Sequence, residues 1–247
     1  MNRSEIVRMA QLESRHWWFV GTRRVIKTHI SRSVQPGARL LDVGCGTGYT
    51  LSLLQHDFNC YGLDFSPEAT VFTREKSDAV TVRCSALEIP FAPETFDAVT
   101  ALDVVEHLDS DRDALAQIFA VLRPGGTLIA TVPAHPWMFS RHDVALGHKR
   151  RYTARAFRMR LQEAGFVVQR LTAFNCLLAP IIMALRLLKK PFTAGDQTPT
   201  SDLVLPSRPV NCILTAVLGL ENWLLGKMNL PFGISLLAVA QKPEGPE

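Results

Sequence analysis

The chain has 247 residues, 47% of them apolar and 20% charged, an ordinary globular composition that excludes a disordered polypeptide. Five scattered cysteines, at 45, 60, 84, 176 and 212, form no C-x-x-C pair, which excludes a disulfide scaffold and a zinc finger and points to a reducing compartment. The net charge of +4 is uneven: residues 1–39 carry eight Lys or Arg against two acids, residues 141–160 carry seven against Asp143 alone, and the remainder is net acidic.

In chain order, residues 1–35 are expected to be helical. Ile6, Met9, Ala10 and Glu13 recur at helical spacing, and Val25, Ile26, His29 and Ile30 do so again. This segment has no apolar run and no cleavage site, so a secretory leader is not expected. Arg39–Val43 reads as a buried strand that meets Gly44, Gly46 and Gly48 and a helix over residues 49–56. Residues 60–64 form a second strand, and Ser66-Pro67-Glu68 opens a helix with an N-cap, a proline at the first position and an early acid. Residues 80–84 are a third strand and Phe96–Leu102 a fourth. The helix after it places Asp109, Asp111 and Asp113 at its positive end and Leu115, Ile118 and Leu122 on one face. Arg123-Pro124-Gly125-Gly126 stops that helix, and residues 127–132 are a fifth strand. Such alternation predicts a parallel, doubly wound α/β sheet with right-handed crossovers.

Thr153 caps a further helix that ends at Gly165, residues 166–174 are a sixth strand, and residues 234–240 a last one. Two apolar stretches lie between them, residues 176–188 and 210–225, joined by a polar linker. Both fall short of the roughly 20 uninterrupted apolar residues of a membrane span. They read as a helical hairpin, docked on the sheet or lying on a membrane surface, with Arg186, Lys189 and Lys190 placed to meet lipid headgroups. A homodimer interface or an enlarged core are the competing uses of the same apolar surface. The expected division is therefore a helical cover (1–35), an α/β core (36–174), an apolar insertion (175–233) and a last core strand with its tail (234–247).

The glycine-rich turn is the most informative stretch. Glycines at 44 and 46 let the backbone turn tightly and approach a ligand, and Gly48 lets the helix pack close to the strand. The spacing is G-x-G-x-G, not the G-x-G-x-x-G of dinucleotide binders, which disfavours a nicotinamide-dependent oxidoreductase. Asp42, just before the glycines, suits a ligand with cationic groups. Asp64, closing the second strand, can accept hydrogen bonds from both hydroxyls of an adenosine ribose.

These stretches resemble a known family. LDVGCGTG at 41–48, GLD at 62–64, ALEIPF at 86–91, FDAVTALDVVEHL at 96–108 and LRPGGTLIATVP at 122–133 are similar to class I S-adenosylmethionine-dependent methyltransferases. The nearest subgroup is the bacterial one that methylates small molecules, quinone-type lipids among them. The resemblance covers residues 35–174, and ISLLAVAQKP is similar to the family's terminal antiparallel strand. It implies a Rossmann-like sheet of seven strands in the order 3-2-1-4-5-7-6, with S-adenosylmethionine across the ends of strands one, two and four. It also implies that Asp42, Gly44, Cys45, Gly46 and Gly48 line the methionine part, that Asp64 holds the ribose and that Phe65 flanks the adenine. Before Ala86 the family usually has an Asp that receives the adenine amino group; here Ser85 stands there and accepts without charge. Asp103 and Val104 would lie below the methionine, near the acceptor.

Methyl transfer from a sulfonium is an in-line displacement, so the protein contributes alignment and exclusion of water. A base is needed only for a protonated, weakly acidic nucleophile, and histidine is the usual one. His107, beside Glu106 after the fourth strand, reads as a loop-orienting pair, a base or a metal ligand, of which the first is preferred; no metal is expected. His142 and His148 lie in the stretch 140–152 after the fifth strand, and H-D…G-H-x-R-R-Y runs of this kind mark the same bacterial subgroup. There His148 is expected to contact substrate together with Arg150 and Tyr152. The competing reading is a lid in which Asp143 pairs with Arg150 or Arg151. His16-Trp17-Trp18-Phe19 with Arg23-Arg24 is similar to the same subgroup. Three adjacent aromatics cannot share one helix face, so Trp17 and Trp18 are candidates for the acceptor pocket.

The expectation is a cytoplasmic methyltransferase, peripheral to the inner membrane through residues 175–230, acting on a small lipophilic or anionic acceptor with O-methylation favoured. The alternative is a catalytically silent module of the same fold that serves as a membrane-bound or complex-forming partner. The basic stretches suit an anionic substrate, a membrane face or a plain solvated surface, and no nucleic-acid-binding motif accompanies them.

Overall fold

The computed structural model describes residues 3–189 and 204–245. Seven strands build one sheet: β1 (Arg39–Val43), β2 (Asn59–Asp64), β3 (Val80–Arg83), β4 (Phe96–Leu102), β5 (Leu122–Pro133), β6 (Val167–Phe174) and β7 (Ser235–Gln241). Their order is β3-β2-β1-β4-β5-β7-β6, as the sequence implies. The pairs β2–β3, β1–β2, β1–β4 and β4–β5 are parallel, whereas β7 runs antiparallel between β5 and β6.

The central strands are apolar on both faces because both faces are covered. Leu41, Val99 and Leu128 point to one side, where they meet Leu115 and Ile118 of α5 (Asp111–Val121) and Phe157 and Leu161 of α7 (Ala154–Glu163). Their neighbours Leu40, Ala98 and Ile129 point to the other, against Ile26 and Ile30 of α2 (Trp17–Ser33), Leu51 of α3 (Tyr49–Leu54) and Leu225 of α9 (Arg208–Leu225). The remaining helices are α1 (Arg3–Leu12), α4 (Pro67–Lys76), α6 (Arg141–Leu146) and α8 (Ala179–Lys189).

Several boundaries differ from the sequence reading. The N-terminal segment is two helices, because His16 leaves the helical pattern and its Nδ1 accepts the Trp18 amide at 3.2 Å as the N-cap of α2. Glu13, expected on a helix face, instead reaches Thr47 and Lys76. β5 begins five residues early, at Leu122, because Gly125 N donates to Lys242 O and Lys242 N to Gly126 O. That pairing with the tail anchors the Pro124-Gly125-Gly126 segment, which bulges out of the ladder with β4 and has Gly125 at φ 74°.

The second apolar stretch, α9, docks chiefly on α2. Leu218 lies so close to Gly21 that a Cβ there would sit 2.3 Å from its Cδ1. Asn211 Oδ1 accepts the Trp17 amide at 3.0 Å, and Asn222 Nδ2 donates to Thr28 Oγ1 at 3.2 Å. Glu221, buried in α9, accepts the amides of Cys176 and Leu177 and so ties the start of the first stretch to the second. Ile213, Leu220 and Trp223 remain exposed on the outer face. Residues 190–203 of the polar linker and the side chains of Arg186, Lys189 and Lys190 lie outside the described residues.

Candidate active site

The C-terminal ends of β1, β2 and β4 converge on the glycine turn. Gly44, Gly46 and Gly48 all have positive φ, at 70°, 57° and 78°, a region costly for residues with a Cβ. At Gly44 a Cβ would also stand 2.5 Å from Val104 Cγ2, so the turn after β1 and the loop after β4 approach each other only because the side chain is absent. Asp64 fastens the turn from the second strand: its Oδ2 accepts Gly46 N at 2.9 Å and its Oδ1 accepts Ser66 N at 2.8 Å. Burial raises its pKa above the usual carboxylate value against those two hydrogen bonds.

A cavity of about 850 Å3 opens beside this turn. It is lined by Asp42, Gly44, Cys45, Gly46 and Asp64, by Phe65, Ser85 and Ala86, and by Asp103 and Val104. Asp42 accepts from Thr100 Oγ1 at 2.6 Å, and burial pushes its pKa up to about 7 despite that bond and the nearby Arg23. Asp103, at φ 55°, is likewise raised by burial. The Cys45 thiol sits 3.6 Å from Thr73 Oγ1, and burial raises it out of the reactive range. Ser85 Oγ already accepts Leu87 N at 3.1 Å. Gly48 does not line the cavity. Its missing Cβ serves packing, since one would lie 2.6 Å from Thr73 Cα of α4 rather than against a strand.

From the other side the cavity is closed by α1, α2 and α8, through Ile6, Met9, Trp17, Trp18 and Ile182. Arg23, which the sequence placed in the aromatic and basic cover without a role in the site, also lines the cavity. Its guanidinium lies over the rings of Phe19 and Tyr49 at 5.2 and 5.3 Å, and its Nη2 is 3.9 Å from Glu13 Oε2. Its buried Nε has no hydrogen-bond partner among the described residues. Position four after Phe19 on one helix face was the available signal.

The floor is formed by His107, at the end of the 3-10 turn Val105–His107, by Leu108 and by the segment after β5. Asp143 Oδ1 accepts from His148 Nδ1 at 2.9 Å and from Arg151 Nε at 2.8 Å, while its Oδ2 accepts Ser140 N at 2.9 Å. Burial opposes ionisation of Asp143, yet the His148 and Arg151 partners outweigh it and hold the carboxyl well below its usual range. Of the two lid pairings open in the sequence, Arg151 is the one observed. The His107 and His148 rings meet edge to face at 4.7 Å. Burial and the neighbouring His148 lower the His107 pKa to about 4. Glu106 is fully buried, and neither carboxylate oxygen has a hydrogen-bond partner among the described residues. Burial, then the nearby Asp103, raise its pKa well above normal. His142 lines the cavity beside His148.

Arg150 and Tyr152 need correction. Neither lines the cavity. Tyr152 is buried and donates to Asp111 Oδ2 at 2.8 Å; Arg150 donates to the Leu108 and Asp109 carbonyls and lies 3.5 Å from Asp111. The cause is Asp111, a buried carboxylate at the start of α5 that needs donors. Lys149 pairs with Asp109, Arg151 with Asp143, and Arg160 with Glu163, so much of this basic stretch is neutralised internally.

Comparison with known proteins agrees with this architecture. Residues 41–130 match the family described as "Methyltransferase domain". A probable S-adenosylmethionine-dependent methyltransferase of Mycolicibacterium smegmatis is 30% identical over 137 residues, 54% of this chain and 53% of that protein. A ubiquinone biosynthesis O-methyltransferase of Xanthomonas campestris pv. campestris is 29% identical over 155 residues, 56% of this chain and 65% of that protein. The chain spans about half the length of the curated relatives it matches. Among solved structures, a Haloferax volcanii methyltransferase in complex with the Trm112 methyltransferase activator superposes with a TM-score of 0.65 at 20% identity, covering 99% of this chain and 96% of that one. The sheet order, the glycine turn and the match to a methyltransferase domain over residues 41–130 together support a class I S-adenosylmethionine-dependent methyltransferase.

Proposed function

We propose that the chain methylates a hydroxyl group of a small lipophilic acceptor. The observation that carries this reading is His148, which lines the same cavity as the glycine turn and Asp64: Asp143 holds its Nδ1 and so leaves Nε2 as the nitrogen available to act as a base. The cavity fits S-adenosylmethionine. Asp64 lines the cavity and each of its oxygens, with one backbone N–H bound, has a lone pair left for a ribose hydroxyl; Arg23 has an unused buried N–H for a carboxylate, and Asp42 and Asp103 are acceptors for an ammonium group. When bound, S-adenosylmethionine supplies an electrophilic methyl group on a positively charged sulfur. Ser85, Ala86 and Phe65 flank the adenine end, and Gly44, Cys45 and Gly46 provide the close backbone at the methionine end. His148 takes the acceptor's hydroxyl proton at Nε2, and Asp143 stabilises the imidazolium that results. Trp17, Trp18, Leu146, Ile182 and Ile234 exclude water and hold an apolar body.

A silent module has no use for a histidine tethered in this way at the cavity floor. The exposed face of α9, with Ile213, Leu220 and Trp223 and with Lys227 over the Trp223 ring, supports peripheral contact with a membrane from which a lipophilic acceptor is drawn. Among the described residues no helix is long and apolar enough to cross a membrane. The test is incubation with methyl-labelled S-adenosylmethionine and a panel of phenols, amines and carbon acids. Label should enter the phenols as methyl ethers. Transfer to amines or carbon alone, or none at all with cofactor bound, would overturn the reading.

A further inference from the structure

Beneath the cavity floor lies a buried carboxyl group that the methyltransferase reading does not use. Glu106 is buried to 0% exposure and both of its oxygens lack a partner among the described residues, whereas a buried ionised carboxylate without donors is among the most costly arrangements in a protein. Two imidazoles face it. One ligand atom each from Glu106, His107 and His148 lie within 4.8 Å of one another, and His148 Nε2 is 3.9 Å from Glu106 Oε1. Two ligands of one ion stand roughly 3–4 Å apart, so the cluster closes on an ion with side-chain shifts of about 1 Å.

We infer that Glu106, His107 and His148 bind one divalent transition-metal ion at the floor of the cavity. The outer partners are those that metal-bound histidines require. Asp143 Oδ1 holds His148 Nδ1 at 2.9 Å, the carboxylate–histidine arrangement that fixes tautomer and raises ligand basicity. His107 Nδ1 lies 3.1 Å from the Gly147 carbonyl, a backbone partner of the same kind. Two imidazoles with one carboxylate suit zinc, iron, cobalt or manganese, and not calcium or magnesium, which prefer oxygen ligands throughout. Three protein ligands leave open positions toward the cavity, as in catalytic sites and unlike closed structural ones.

The site deepens the hydroxyl-acceptor reading and rests on it for its role. An acceptor oxygen in an open position loses its proton to solvent more readily, as metal-bound water does. Its lone pair then forms the C–O bond while the methyl–sulfur bond breaks and leaves its electron pair on sulfur. In that state His148 is a ligand, and the ion takes over the work assigned to its Nε2.

Cobalt(II) titration of the apo-protein tests the site without any turnover. One ion per chain should bind and give visible d–d bands without a thiolate charge-transfer band. The isosteric variant E106Q and the variants H107Q and H148Q should each weaken binding about 10–100-fold or more. H56Q, altered at an exposed histidine far along the chain, should bind as wild type. Thermal melts confirm that the variants fold. No saturable binding by wild type, or binding that E106Q leaves unchanged, would overturn the site. Phenol methylation that survives complete chelation would remove the ion from the reaction and return proton transfer to His148. A bound ion with no methyl transfer to any phenol would refute the hydroxyl-acceptor reading and leave the site standing.

Discussion

Replacing Asp64 by Ala separates what this carboxylate does for the fold from what it does for the ligand. Hydrogen bonds to a charged group contribute about 1.5–3 kcal/mol, so losing the ribose contacts should weaken S-adenosylhomocysteine binding by about 10–150-fold. Fold stability should respond much less. The variant loses two backbone bonds, from Gly46 N at 2.9 Å and Ser66 N at 2.8 Å, but it also removes a carboxylate whose burial costs more than those bonds return, as its raised pKa shows. A carboxyl with a folded pKa above its unfolded value destabilises the fold once it is ionised, so deleting it at neutral pH offsets much of the lost bonding. Calorimetry should therefore show a large change in Kd beside a small change in Tm. An analogue lacking the ribose hydroxyls closes the cycle: it should bind weakly to wild type and no more weakly to the variant. Unchanged affinity for S-adenosylhomocysteine, or an equal loss for both ligands, would refute the assignment of Asp64 to the ribose.

His148→Ala should lower turnover of a hydroxyl acceptor by about 10²–10⁴ while S-adenosylhomocysteine affinity by calorimetry stays put; a loss below about threefold would make the residue structural. Tyr152→Phe should cost about 1–3 kcal/mol in denaturant unfolding, because it strips a donor from buried Asp111, and should leave the acceptor KM unchanged. A changed KM would restore Tyr152 to the substrate site. Asp42, raised by burial to about 7, binds its proton more tightly in the folded chain than in the unfolded one, so its contribution falls as pH rises from about 4 to about 7. Urea unfolding across that window should show a downward slope in wild type that Asp42→Asn reduces, and identical slopes would contradict the burial argument.

The parts of this molecule legible in the sequence are those set by local pattern. Arg39–Val43 and Phe96–Leu102 match their strands because an apolar run bounded by glycines or acids has few other uses. The glycine turn and Asp64 were readable because backbone approach demands glycine at fixed spacing. What could not be read depends on partners distant in the chain. The early start of β5 is set by Lys242, more than a hundred residues away. Arg150 and Tyr152 looked like substrate ligands because Asp111, which claims both, lies about forty residues earlier at a helix start whose burial no local pattern reveals. The same holds for α9, whose docking on α2 depends on Gly21 and Leu218 meeting across the fold.

Two buried carboxylates explain how one loop combines structural and chemical duties. Asp111 and Asp143 bind the side chains of Arg150, Arg151 and Tyr152 beneath the loop, and in doing so they leave His142 and His148 on the cavity side. Arg150 and Arg151, two of the cations that suggested an anionic acceptor, are thus consumed inside the protein. Of the cations that line the cavity, Arg23 lies near Glu13, Asp42 and Asp103, Lys149 pairs with Asp109 and Arg151 with Asp143, while Asp64 adds a further carboxyl group to the lining. A carboxylate or phosphate on the acceptor would enter a low-dielectric space where acids outnumber unpaired bases. A cationic sulfonium gains from that same field. On the hydroxyl-acceptor reading proposed above, that field favours a neutral acceptor over an anionic one, and the acidic character of the cavity serves to hold the methyl donor.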